Sequence, residues 1–113
     1  MDDSIPVVKG TLDLLVLKAL MAGPAHGFEV AGWIEGHSDG EVAFDDSAIY
    51  HALYRMEKKG LVEAEWGVTE NNRRARYYRV TSQGKAHLAE ESERVLRFAR
   101  TLATILEAGQ DPR

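Results

Sequence analysis

Seven basic side chains crowd into residues 47–79, SAIYHALYRMEKKGLVEAEWGVTENNRRARYYR. They are Arg55, Lys58, Lys59, Arg73, Arg74, Arg76 and Arg79, set against four acidic ones, Glu57, Glu63, Glu65 and Glu70. The 113-residue chain carries a net charge of −4, so this stretch is a cationic island in an acidic protein. Cations grouped in this way can neutralise duplex phosphates, because that attraction follows local rather than net charge. Ser47, Tyr50, His51 and Tyr54 are interleaved with them and share one side of a helical repeat with Lys58. Tyrosine hydroxyls can bond phosphates, and an imidazole can donate or accept toward a base edge. Solubility alone does not select two tyrosines and a histidine for an outward face. The competing readings are a partly buried core position for Tyr50, plain exposure for His51 and an ordinary solvated charge run for the arginines.

Other chemistries lack their residues. The chain contains no cysteine, which removes disulfides, thiolate metal sites and cysteine nucleophiles. Its four histidines (His26, His37, His51, His87) lie on different elements and lack the i, i+4 spacing of a helical metal pair. No glycine-rich phosphate loop follows a strand. Asp45-Asp46 is explained by a helix start, where acidic groups suit the positive end. The expectation is therefore no enzyme, no metal site and no cofactor. No apolar run reaches the length of a membrane span and the start MDDSIPVVKG is acidic, so a cytoplasmic protein is expected.

The elements that must position the island follow from patterning. Residues 12–21 are apolar nearly all round, which predicts a helix buried on several sides. Gly23-Pro24 ends it, because proline removes an amide and restricts its predecessor. A second helix is predicted over 27–36 with Phe28, Ala31 and Ile34 on one face. A third runs over 46–59, capped by Asp45 and stopped by Gly60, with Ile49, Ala52, Leu53 and Met56 inward. Alternation predicts strands at 61–66 and 75–80, with Val62, Ala64 and Trp66 on one face and Tyr78 and Val80 inward. Asn71-Asn72 suit the turn between them. That order is a helix feeding a β-hairpin, a mainly α (α+β) winged helix-turn-helix in which the hairpin is the wing. Here the third helix would lie in the major groove and the wing, with Asn72, Arg73, Arg74 and Arg76, against the backbone or minor groove.

Thr81 is expected to cap a last helix over 82–108. Leu88, Ser92, Val95, Ala99, Leu102 and Leu106 recur at the four-three step of a coiled-coil seam. At about 1.5 Å per residue such a helix spans roughly 40 Å, more than a small winged domain covers. A second copy of the chain is the cheapest partner for that stripe, and Leu12 and Leu15 of the over-apolar first helix are expected to join it. The competing reading folds the helix back on its own domain. The expected organisation is a flexible tail at 1–9, a winged helix-turn-helix domain at 10–81, a dimerisation helix at 82–108 and a tail at 109–113.

Four stretches taken in order resemble the PadR family of bacterial transcriptional regulators over nearly the whole chain. They are KGTLDLLVLKAL (9–20), GPAHGFEVAGWIE (23–35), AIYHALYRMEKKGLVEAEWG (48–67) and NNRRARYYRVTSQGKAHL (71–88). The resemblance implies a homodimeric winged-helix repressor bound to double-stranded DNA at an inverted repeat, with affinity lowered in many members by an effector. It implies recognition by Tyr50, a basic wing run at Arg73, Arg74 and Arg76, and turn glycines at Gly27 and Gly60. His51 stands where members often have proline, so the operator sequence does not carry over. Phe98 is the last helix's sole aromatic, where drug-sensing relatives use tryptophan; Trp33 and Trp66 are expected to be packing residues. The rival from another class is a winged protein–protein interaction module without DNA binding.

Overall fold

The computed structural model describes residues 5–6, 8 and 10–109. Its elements in order are β1 (Ile5–Pro6), α1 (Leu12–Leu20), α2 (Gly27–His37), β2 (Val42–Ala43), α3 (Asp46–Lys58), β3 (Val62–Val68), β4 (Arg74–Val80) and α4 (Ser82–Glu107). This is the expected winged helix-turn-helix with a long last helix. Most of the tails expected at 1–9 and 109–113 lies outside the described residues. Within the first of them, Ile5–Pro6 pairs in parallel with Val42–Ala43, a short ladder that local patterning does not foretell.

Helices α1, α2 and α3 close round one core. Val16, Leu17 and Leu20 meet Val30 and Ile34 of α2 and Ile49, Leu53 and Met56 of α3, all nearly inaccessible to solvent. Val62, Tyr78 and Leu88 complete it from the wing base and the start of α4. After α1 the chain reverses at Gly23, whose φ of +139° only glycine adopts cheaply. Ala25 then exchanges both backbone hydrogen bonds with Tyr78 (3.0 and 2.8 Å), which pins the α1–α2 connection to the wing.

The helix ends differ from expectation in instructive ways. Asp45 occupies the cap of α3 with extended backbone, yet its carboxylate makes no capping hydrogen bond. The well-made start is that of α2. There His26 Nδ1 accepts from the Glu29 amide (3.3 Å) and the His26 amide donates to Glu29 Oε1 (3.1 Å). This is a capping box in which imidazole replaces the usual hydroxyl. Gly60 ends α3 as expected, at φ +78°, with Leu61 N donating to Met56 O at 2.9 Å. Thr81 Oγ1 accepts from Gly84 N at 3.0 Å and starts α4.

The hairpin pairs Val62 with Val80 through to Val68 with Arg74, two residues beyond the expected end of the first strand. Gly67 permits the extension, since the Tyr77 ring lies where a Cβ would sit, within 2.8 Å. The turn closes through Thr69 N to Arg73 O (2.8 Å) and Arg73 N to Thr69 Oγ1 (3.2 Å), with Asn72 left-handed at φ +60°. Two predicted faces need correction. Phe28 is 75% exposed, because Val30 and Ile34 supply the inward face of α2. Trp66 is 58% exposed: its sheet face is core at Val62 and Tyr78, then runs out past the edge of the domain.

Candidate nucleic-acid interface

On α3 the periodicity divides as expected. Ile49, Ala52, Leu53 and Met56 are buried, and Ser47, Tyr50, His51, Tyr54 and Lys58 are all exposed. Lys58 Nζ lies 4.7 Å above the Tyr54 ring, a cation–π contact that keeps the ammonium near the helix surface. Tyr50 is half exposed and rests on the first turn of α2. A Cβ at Gly27 would meet its ring at 2.4 Å, so glycine is what allows the ring to lie there.

The cationic island separates into two groups. Arg55 bonds Asp13 at 2.7 Å, and Arg79 bonds Glu63 across the sheet through Nε at 3.0 Å. Arg76 donates from Nη1 (3.1 Å) and Nη2 (2.8 Å) to the two oxygens of Glu57 on α3. Lys58, Lys59, Arg73 and Arg74 make no ion pair among the described residues. The sequence groups Arg76 with the wing-tip arginines, and the structure gives it a carboxylate partner that they lack among the described residues. Both its terminal nitrogens are engaged, and its Nε is enclosed without a hydrogen-bond partner. The Glu57 hydrogen bonds raise its pKa, against an opposing effect of burial.

Arg73 and Arg74 stay at the exposed tip. The Arg74 guanidinium stacks 4.6 Å from the Trp66 ring. A groove of about 620 Å³ runs between the starts of α2 and α3 and the wing, lined among others by His26, Phe28, Tyr50, Trp66, Arg73 and Arg74. It unites Tyr50 with the two tip arginines and with Arg76. Ser47, His51, Tyr54 and Lys58 lie outside it on the open face of α3, and Asn72 lies at the turn. Sequence reasoning missed His26, Phe28 and Trp66 as members of this surface. Strand parity held the signal for one of them, since Trp66 pairs directly with Arg76 and so shares its face with Arg74.

The residues assigned to dimerisation fall in three places. Leu12 and Leu15 are partly buried against the subunit's own core. Leu88 is 7% exposed and belongs to that core, so the seam does not begin there as the four-three spacing has it. Val95 is half-buried, while Ala99, Leu102 and Leu106 are exposed beside Leu96, Phe98 and Ile105. Among the described residues no helix is long and apolar enough to cross a membrane, and no cluster of three acidic, histidine or cysteine side chains could hold a metal ion.

Three core helices, a hairpin wing and an exposed polar face on the third helix define a winged-helix protein. Residues 16–90 match the PadR-like family of transcriptional regulators, and the chain belongs to that family. It is 30% identical over 84 residues to an uncharacterized protein of Lysinibacillus sphaericus, covering 74% of this chain and 77% of that one. A transcriptional regulator from Clostridium thermocellum has the same fold, with a TM-score of 0.78, 24% identity and coverage of 88% and 93% of the two chains. So does Bacillus subtilis PadR, whose structure is a complex with operator DNA; there the TM-score is 0.64, identity 19%, and coverage 71% of this chain and 45% of that one.

Proposed function

We propose that the protein is a sequence-specific, cytoplasmic DNA-binding repressor that acts as a homodimer on an inverted repeat and is released by a small-molecule effector. One observation carries this reading: Arg73 and Arg74, without an ion pair among the described residues, border the same groove as Tyr50, beside the exposed polar face of α3. A third helix and a wing so placed fit a major groove and the adjoining backbone or minor groove. Ser47, Tyr50, His51, Tyr54 and Lys58 read or anchor from the helix; Asn72, Arg73 and Arg74 act from the wing. The operator complex of the Bacillus subtilis relative supports the choice of partner.

Residues 10–81 form the DNA-binding unit in this reading and 82–108 the dimerisation helix. Ala99, Leu102 and Leu106, with Leu96 and Ile105, offer an apolar surface that a second copy covers. Two-fold symmetry then places half-sites about one helical turn apart.

Selection of bound duplexes from a random pool, followed by titration at two salt concentrations and sedimentation of the complex, tests the reading. A palindromic consensus bound by two chains, with affinity falling steeply in salt, is the expected result. A monomer indifferent to every duplex at low ionic strength overturns it in favour of a protein-interaction module. Gly27→Ala gives a finer check. The added methyl displaces only the half-exposed Tyr50 ring. Stability should therefore change by less than about 1 kcal/mol, while affinity for the selected duplex falls. A Gly27→Ala protein that binds normally removes Tyr50 from the DNA-facing set.

A further inference from the structure

We propose that Glu57 determines DNA specificity by locking Arg76 in the outer half of the wing to α3, so that α3 and the wing tip meet a duplex as one rigid body. The inference rests on the DNA-binding reading above. Glu57 is an anion inside the cationic island, where a carboxylate opposes phosphate. Its side chain is 29% exposed and grips Arg76 through both oxygens. Arg76 is opposite Trp66 in the hairpin register, with its guanidinium carbon 5.9 Å from the Trp66 ring and 5.6 Å from that of Tyr78. Arg74 stacks on the same indole at 4.6 Å. Glu57, Arg76, Trp66 and Arg74 therefore form one chain of contacts from the recognition helix to the wing tip.

Each member narrows the freedom of the next. A bidentate carboxylate fixes both the distance and the plane of a guanidinium. The Arg76 Nε is enclosed without a hydrogen-bond partner, so the two terminal nitrogens carry the grip on Glu57. An exposed arginine has several rotatable bonds, and a face-on contact with an indole removes part of that entropy before DNA arrives. Glu57 and Arg76 are thus positioning residues, and Arg74 is the group they position.

The two views of Glu57 predict opposite signs. If it is only a misplaced anion, its removal tightens binding to every duplex. If it holds the wing, its removal weakens the selected duplex while sparing non-specific attraction. The experiment measures wild type, Glu57→Ala, Glu57→Asp and Glu57→Arg/Arg76→Glu on a duplex selected by wild type and on an unrelated duplex of equal length. Glu57→Ala should bind the selected duplex roughly tenfold more weakly and the unrelated duplex as well as or better than wild type. Glu57→Asp keeps the charge but withdraws the carboxylate, so it should lose specificity in the same direction. The charge-reversed pair should recover part of it. Glu57→Asp also serves should Glu57→Ala fail to fold. If wild type binds and the affinities of Glu57→Ala rise together on both duplexes, or Glu57→Asp matches wild type on both, the lock is overturned alone. A wild-type chain that binds no duplex overturns the reading of function instead.

Discussion

Arg73→Ala combined with Arg74→Ala lowers affinity for every duplex, selected or not, by about ten- to a hundredfold at moderate salt. The slope of log affinity against log salt should flatten by about one unit for each phosphate that is no longer neutralised. The size of the effect follows from what surrounds these two side chains. Neither makes an ion pair among the described residues, so neither has an intramolecular carboxylate to compete with phosphate. The turn they flank is held by backbone groups and the Thr69 hydroxyl, which the substitutions leave in place. Thermal stability should therefore hold while binding collapses. Titrations at several ionic strengths decide the matter, and an unchanged slope would take the wing tip off the DNA-facing surface.

The largest effect on stability should come from Gly84→Ala. A Cβ there would lie 2.1 Å from the Leu61 carbonyl oxygen and 2.8 Å from Val80 Cγ2. The nearer obstacle is backbone, which cannot rotate out of the way as the Tyr50 ring can for Gly27→Ala. The first turn of α4 is also tied down by Thr81, whose hydroxyl both accepts from Gly84 N and donates to the Gly60 carbonyl (2.7 Å). Relief therefore requires α4 to lift from the wing base. We expect a destabilisation of about 2–3 kcal/mol, the upper part of the usual range for overpacking a tight site, read from urea or thermal unfolding. An unaltered melt would mean that this helix start slides without cost.

What the sequence disclosed is whatever depends on local periodicity. The α3 faces divide at Ile49, Ala52, Leu53 and Met56 as a 3.6-residue repeat requires, because burial there is decided by neighbours on one helix. Gly60 as a helix stop and Thr81 as a helix cap were legible for the same reason: those two roles are set by the residues beside them, although the Thr81 bond to the Gly60 carbonyl was not. Pattern alone could not see that a strand outgrows its domain. Trp66 alternates correctly with Val62 and Ala64, yet the core ends before reaching it. Nor could it see pairing across distance. Glu57 and Arg76 are nineteen positions apart, and nothing in the spacing separates a structural arginine from Arg73 or Arg74. Leu88 fits the four-three step on sequence, but the fold draws it inward because the first turns of α4 pack against the wing and α1.

Every residue from Leu96 to Gly109 is exposed, and the buried cluster ends at Leu88. The distal half of α4 is consequently insulated from the body that folds around Leu17 and Leu53. Substitutions there can drift, or the segment can be exchanged whole, without loosening the part that faces a ligand. Under the proposed function, choice of mate and choice of target sequence are then separable traits, open to independent change in descendants of this chain.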